Sequence, residues 1–166
     1  MKKILLVGAL ALFGAMNAQS GFKIGAHVGL PVGDISDTTS FNFGVDAAYT
    51  WRVADNFDLG ITTGYSHYTG KDYTNPSSGT QTVKGESTGM IPVAATAQYG
   101  FNGGFFVGAD LGYAFFTEEN SDGGFYYQPK IGYTLNQKHD LYLGYKGISL
   151  DGGTVSSVNL GYAYKF

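Results

Sequence analysis

Three residues near the middle of the chain carry the side chains that acyl transfer uses. His67, Thr69 and Glu86 offer an imidazole, a hydroxyl and a carboxylate, the set that activates a nucleophile in many hydrolases. His67 and Thr69 have the same parity along the chain, whereas Ser66 has the opposite parity, and Glu86 joins them only if its strand shifts. A histidine in this setting more often makes interfacial hydrogen bonds, so the pattern favours a protein that is not an enzyme.

Metal and cofactor signals are weak. The chain has no cysteine, His139 lies in a predicted turn, and His27 stands alone on its face, so the sequence predicts no metal site. Its Gly-Gly pairs read as turns rather than as a phosphate-binding loop, so no soluble cofactor is expected. The formal net charge of -3 leaves no basic patch for a phosphate backbone, which disfavours nucleic acid as a partner.

Sparse charged residues share one parity with many glycine, serine and threonine residues. If this face is enclosed, isolated charges on it are costly, and they are expected to pair in an ion and hydrogen-bond network. The predicted members are Lys23, Asp46, Asp58, Asp110, Lys130 and Lys146, with His27 and Lys165 on the same face. An ion pathway is the alternative, but large residues of the same parity, such as Phe106 and Tyr142, favour a filled interior.

The N-terminus has the pattern of a secretory signal. Met1-Lys2-Lys3 is followed by an apolar run from Ile4 to Ala15, and Ala15-Met16-Asn17-Ala18 forms a small-residue exit before Gln19. A run of this length is too short to cross the membrane as a helix, which needs about 20 residues. We predict that residues 1–18 are a cleaved signal peptide and that residues 19–166 form one domain outside the cytoplasm.

After Gln19 the apolar residues recur at every second position, which predicts strands throughout. The alternation gives eight strands, at 22–30, 41–51, 57–66, 90–99, 105–116, 125–135, 141–146 and 158–166. Longer polar connections, among them 151–154, alternate with tight turns, which indicates an antiparallel up-and-down barrel. Pro92 and Pro129 each remove a ladder donor, and we expect a bulge or a shifted strand at each.

Residue size decides which face of the barrel points outward. The apolar face carries up to six large side chains per strand, too much volume for the lumen of eight strands. The chain is only 14% charged, whereas a water-facing surface carries about 25–35% charged residues. The apolar face is therefore predicted to contact hydrocarbon, where a closed barrel satisfies every backbone group. The fold class is an all-β, eight-stranded antiparallel up-and-down transmembrane β-barrel.

Aromatic residues gather near the ends of the predicted strands. Such barrels carry aromatic girdles at both membrane interfaces. On the side of the tight turns, the predicted girdle comprises Trp51, Phe57, Tyr99, Phe105, Tyr133 and Tyr164. A general preference of aromatics for strands would not explain their position at strand ends.

The chain ends Leu160-Gly161-Tyr162-Ala163-Tyr164-Lys165-Phe166, a terminal aromatic preceded by aromatics at alternate positions. With the signal peptide and eight alternating strands, it resembles the small bacterial outer-membrane barrels and is similar to the OmpX, OmpW and opacity-type proteins over the whole mature chain. The resemblance implies a bacterial outer membrane location, with membrane lipid and lipopolysaccharide as surroundings. It also implies that Tyr162, Tyr164 and Phe166 are a signal read by the barrel-assembly machinery during biogenesis.

The leading functional prediction is a non-enzymatic outer-membrane barrel that contributes to envelope structure or surface contact, with its lumen plugged by the polar network. A small-ligand or narrow-pore transport barrel is the alternative. A lipid A-modifying enzyme is a further one, although the lipid A deacylases use a serine where this chain offers Thr69. Loop 70–87, the longest, could bind a surface ligand or be a solvated linker. A soluble periplasmic barrel is a further alternative, from a different class of protein.

Overall fold

The computed structural model describes residues 21–74, 82–83, 85, 87–118 and 123–166. Eight long strands form one closed antiparallel barrel, in which each strand pairs with its neighbours in sequence and the first pairs with the last. The strands are β1 (Gly21–Val32), β2 (Thr39–Ala54), β3 (Phe57–Gly70), β4 (Tyr73–Thr74), β5 (Thr82–Val83), β6 (Thr88–Gly100), β7 (Phe105–Phe116), β8 (Gly124–Leu135), β9 (His139–Leu150) and β10 (Gly153–Lys165). Strands β4 and β5 form a separate two-stranded ribbon in the longest loop. The predicted fold class is confirmed.

Side chains alternate between the lumen and the exterior along each barrel strand. In β1, Lys23 and His27 are buried, whereas Ile24, Val28 and Leu30 are 47%, 57% and 66% exposed. The exterior of this closed barrel is therefore apolar, as a hydrocarbon surrounding requires. Within the described ranges, no helix has the length and apolarity to cross a membrane.

Inward glycines make room for the large side chains of the lumen. A Cβ atom at Gly161 would lie 2.1 Å from Cζ of Tyr142, and one at Gly132 would lie 2.4 Å from Cζ of Phe106. Bulky rings can therefore share the lumen with so many charged side chains because the facing positions carry no side chain at all.

The two ends of the barrel differ in their connections. The short turns at 55–56, 101–104 and 136–138 lie at the end that holds Gly21 and Phe166, and longer loops at 33–38 and 71–87 lie at the other end. Short turns of outer-membrane barrels face the periplasm, so we call the first end periplasmic and the second outer. The connection predicted at 151–154 is only a two-residue turn, because β10 already begins at Gly153.

The prediction of a bulge or a shifted strand at Pro92 and at Pro129 is wrong. The register of β6 on β3 and of β8 on β9 is the same before and after each proline, and only the pairing on that one side is interrupted. On its other side, Pro92 pairs with Ala114 and Pro129 pairs with Ala109. A proline lacks one ladder donor, and each strand loses its pairing there without an inserted residue. Register shifts occur instead in β2, next to its two ends.

Candidate functional site

A hydrogen-bonded group from four strands occupies the middle of the lumen. His27 of β1 places Nδ1 2.6 Å from Oδ2 of Asp46 on β2, and Nε2 3.0 Å from Oγ of Ser66 on β3. Lys146 of β9 places Nζ 2.8 Å from Ser66 Oγ and 3.0 Å from His27 Nε2. If Lys146 is an ammonium it can only donate, so His27 then accepts at Nε2 and donates from Nδ1 to Asp46. His27, which looked solitary in the sequence, has three polar partners.

The order Asp46, His27, Ser66 has the connectivity of a Ser-His-Asp triad. A serine nucleophile needs room beside Oγ for the carbonyl that it attacks. Here Ser66 is fully buried and its Oγ accepts a hydrogen bond from Lys146. A small lumen cavity nearby is lined by Asp46 but by neither His27 nor Ser66. The geometry therefore ties four strands together and offers no position for an acyl substrate.

Other charges predicted for the lumen form separate pairs rather than one network. Asp110 of β7 accepts two hydrogen bonds of 2.8 Å from Nζ of Lys130 on β8. Asp58 lies close to the periplasmic end, where its carboxylate binds the guanidinium of Arg52 at 2.8 Å. The Arg52 side chain is 64% exposed, so this pair belongs to the rim and not to the enclosed lumen.

The carboxylate of Asp140 on β9 was missed in the sequence analysis, although it joins two lysines. Its oxygens lie 3.1 Å from Nζ of Lys23 on β1 and 2.9 Å from Nζ of Lys165 on β10. The hydroxyl of Thr134 donates to it at 2.6 Å, and Asp140 is 2% exposed. The predicted strand began at Leu141. Its parity, shared with Tyr142 and Lys146, was the signal that could have placed it in the lumen.

A cavity of about 50 Å³ lies among these groups. It has room for a few water molecules, because one water needs roughly 10–15 Å³ of such volume. Nε2 of Gln128 lines the same region, is buried and has no protein partner, while Oε1 of the same side chain accepts from Tyr126 at 2.6 Å. The lining residues include Lys23, Asp46, Asp110, Gln128, Lys130, Asp140 and Tyr142.

An apolar cluster lies in the outer half of the lumen. Its side chains are each at most 5% exposed, and partly buried residues such as Phe116 and Leu150 cover it. Polar side chains are buried at the same level, since Asn42 pairs with Tyr68 across the ladder and the hydroxyl of Tyr68 lies 3.4 Å from Oγ of Ser157. The charged groups occupy the middle and the periplasmic half of the lumen. The cluster comprises Tyr68, Met90, Ala94, Ala114, Tyr126 and Ile148.

The family model described as "Outer membrane protein beta-barrel domain" matches residues 5–166. The chain belongs to this family. It is a protein of the bacterial outer membrane, and its apolar exterior and closed hydrogen bonding suit a hydrocarbon surrounding. No curated protein matches the sequence.

Solved structures of similar fold include outer-membrane proteins and a designed barrel. Ail, the attachment invasion locus protein of Yersinia pestis, is 14% identical, with 89% of this chain and 97% of that chain covered and a TM-score of 0.54. OprG from Pseudomonas aeruginosa is 16% identical, with 90% and 96% covered and a TM-score of 0.51. The de novo designed TMB2.3 is 11% identical, with 90% and 97% covered and a TM-score of 0.58. At these identities the likeness concerns the fold.

At the outer rim, His67 and Thr69 of the hydrolase set suggested by the sequence each have an aromatic neighbour. The His67 ring packs on Phe43 with centroids 5.4 Å apart, and its Nδ1 is 3.5 Å from the hydroxyl of Tyr65. Thr69 pairs with Phe41 across the β2–β3 ladder. Glu86 lies outside the described residues. No three His, Asp or Glu side chains in the described part of the chain meet as metal ligands.

Aromatic rings line the periplasmic ends of the strands on the barrel exterior. Tyr99 packs against Phe101 at 5.1 Å, and Phe105 packs against Tyr133 at 4.9 Å, both edge to face. Trp51, Phe57 and Tyr164 occupy strand ends on the same side. Near the C-terminus, Tyr164 contacts Phe166 at 5.0 Å and Tyr162 contacts His139 at 5.9 Å. The residues expected to form the assembly signal thus sit beside the girdle residues.

Proposed function

We propose that the protein is a non-enzymatic barrel that contributes to the structure of the outer membrane, with a lumen plugged against solutes. The observation that carries the proposal is the apolar cluster in the outer half of the lumen. Tyr68, Met90, Ala114, Tyr126 and Ile148 are each at most 3% exposed, and the polar side chains at the same level, such as Asn42 and Asn159, are fully buried, so packed side chains fill the lumen there.

The polar groups below the cluster support the same proposal. Lys146 directs its donors at Ser66 and His27, and Lys130 directs its donors at Asp110. Side chains that bind one another at these distances are poor binding sites for a passing ion. Their contacts would first have to break, which would leave a buried charge without its partner. The buried, lysine-bound Ser66 supports a role without acyl transfer.

Asp110→Ala is expected to lower the thermal stability of the barrel and leave its conductance at the bilayer baseline. The change removes the carboxylate from Lys130, at a cost of about 2–4 kcal/mol because this lysine is only partly enclosed. The apolar cluster is untouched. Gel mobility of boiled and unboiled protein over a temperature series measures stability, and planar-bilayer recording measures conductance.

Asp151→Ala in the exposed outer turn is the matched control and should change neither quantity. Channel steps in the unmodified protein, or in Asp110→Ala while it remains folded, would support the narrow-pore alternative and refute the plug.

A second candidate function is contact with another surface through the outer loops. Lys71 anchors the base of the longest loop, since its backbone N–H binds the Thr38 carbonyl at 2.8 Å and its ammonium binds the Ser36 carbonyl at 2.6 Å. The ribbon of β4 and β5 continues beyond this anchor. A fixed base holds the ribbon beyond the barrel, where a partner can reach it.

The charge of the outer connections indicates the kind of partner. Ail was also solved with the heparin analogue sucrose octasulfate. Carboxylates at the outer end of this chain would repel such a sulfated ligand and favour a cationic partner. The connections contain Asp34, Asp37, Asp72, Glu86, Glu118, Glu119, Asp122 and Asp151, against Lys71 and Lys84.

Barrel protein in neutral nanodiscs is expected to be retained on immobilised oligolysine at low salt and to pass over immobilised heparin. Replacing Asp72 and Glu118 by Asn and Gln should weaken retention, because fewer carboxylates then face the surface. Replacing Asp55 by Asn in a periplasmic turn is the matched control and should leave retention unchanged. Retention on heparin, or equal retention of both variants on oligolysine, would argue against this candidate.

A further inference from the structure

A vestibule of about 610 Å³ opens at the periplasmic end of the barrel. This size lies within the roughly 300–1,000 Å³ typical of small-molecule sites. Its mouth is formed by Gly21 and by the short turns, with Asn56, Gly104 and Gln137 in the wall. Lys23, Gln98 and Phe106 line both the vestibule and the smaller lumen cavity, so they stand at its inner end.

The inner end of the vestibule has more positive than negative charge. Lys23 and Lys165 both line it, and both bind the single carboxylate of Asp140, which lines the deeper cavity and not the vestibule. Their other acceptors are the neutral oxygens of Gln98, at 2.8 Å, and Thr134, at 3.4 Å. One carboxylate therefore compensates two ammoniums, and the surplus charge faces the opening.

Among the described residues, the side chains at the rim add no surplus charge. Arg52 and Asp58 both line the vestibule and compensate each other. The ring of Phe106 provides apolar surface at the inner end, because its side chain points inward and lines the vestibule. The wall therefore combines a partly buried positive pair with a phenyl surface, which matches a molecule that carries a negative group on an apolar body.

We propose that the vestibule is a binding site for a small amphiphilic organic anion that enters from the periplasm. Lys23 and Lys165 hold the anionic group, and the ring of Phe106 contacts the apolar part. The site is separate from the plug, because the apolar cluster lies in the opposite half of the lumen. A test of this binding is therefore independent of whether the barrel conducts ions.

Phenyl phosphate is a suitable probe for the full-length barrel in a non-ionic detergent. We expect saturable binding by calorimetry, with amide NMR shifts confined to the vestibule wall. Lys165→Gln removes one ammonium and should weaken binding by about tenfold, the equivalent of one charge-assisted hydrogen bond. Lys138→Gln is the matched control, because this lysine lies in a neighbouring turn and packs over Tyr164 outside the vestibule.

Two further probes test the chemistry of the site. Inorganic phosphate, which lacks the ring, should bind more weakly than phenyl phosphate, and benzylamine, which lacks the anion, should not bind. Boiled and unboiled gel mobility shows that each variant is folded. Equal binding of benzylamine, an affinity unchanged in folded Lys165→Gln, or no saturable binding of phenyl phosphate would overturn the proposal.

Discussion

Replacing Asp140 by alanine is expected to remove about 3–5 kcal/mol from the free energy of unfolding, the cost of stranding a buried charge. Asp140 is the only carboxylate within salt-bridge distance of Lys23 or Lys165 among the described residues. The two lysine side chains are 10% and 19% exposed, so water replaces the lost partner only in part. The variant also frees the hydroxyl of Thr134. Urea unfolding of the barrel in lipid vesicles measures the loss.

Two variants separate charge from packing in this experiment. Asp151→Ala, on an exposed turn, should shift the free energy of unfolding by no more than about 0.5 kcal/mol. Combining Asp140→Ala with Lys165→Met should recover part of the loss, because one of the two stranded ammoniums is gone. If Asp140→Ala unfolds at the same urea concentration as Asp151→Ala, then the two lysines do not depend on this carboxylate.

Gly44→Ala is expected to destabilise the barrel by about 3 kcal/mol through overpacking. A Cβ atom at Gly44 would lie 2.2 Å from the carbonyl oxygen of Tyr65 and 2.6 Å from Cε1 of His27. The first contact is with backbone, so β2 and β3 must separate. The second displaces the ring that binds Asp46 and Ser66. The same change therefore strains the sheet and breaks the central group.

Gly152→Ala is the matched control, because no atom lies within 4 Å of the added carbon in the outer turn. It should leave the urea midpoint unchanged or raise it slightly by restricting the unfolded chain. Side-chain NMR of His27 should report a changed environment in Gly44→Ala only. Equal urea midpoints for the two variants would mean that β2 and β3 can separate at Gly44 without a loss of stability.

The central group illustrates which contacts a strand pattern can anticipate. Ladder register places His27 opposite Gly44, and Gly44 opposite Ser66, so an interior row follows once the pairing is known. Lys146 is different, because it stands on β9 and reaches His27 and Ser66 from across the lumen. Such contacts depend on barrel diameter and strand stagger, which no local period contains.

At the two prolines and in the last hairpin, the local sequence pattern does not predict the strand pairing correctly. In place of the bulges expected at Pro92 and Pro129, the ladder is interrupted locally on one side, because the neighbouring strand on the other side holds the register. The β9–β10 turn is shorter than the polar residues around it suggested, because Thr154 and Ser156 pair across the ladder with Ser149 and Gly147. Closure of the sheet overrides the local preference of these residues.

By itself the sequence determined the eight alternating strands, the apolar exterior and the inward parity of the charged residues. These follow from the two-residue period of a strand and from side-chain volume, both of which are local properties. The tertiary structure decided which charges meet, since Lys23 and Asp140 are 117 residues apart and come together only when β1 closes on β10. It also decided that Ser66 is buried and that the vestibule is open to solvent. Both depend on how the side chains of eight strands fill the lumen.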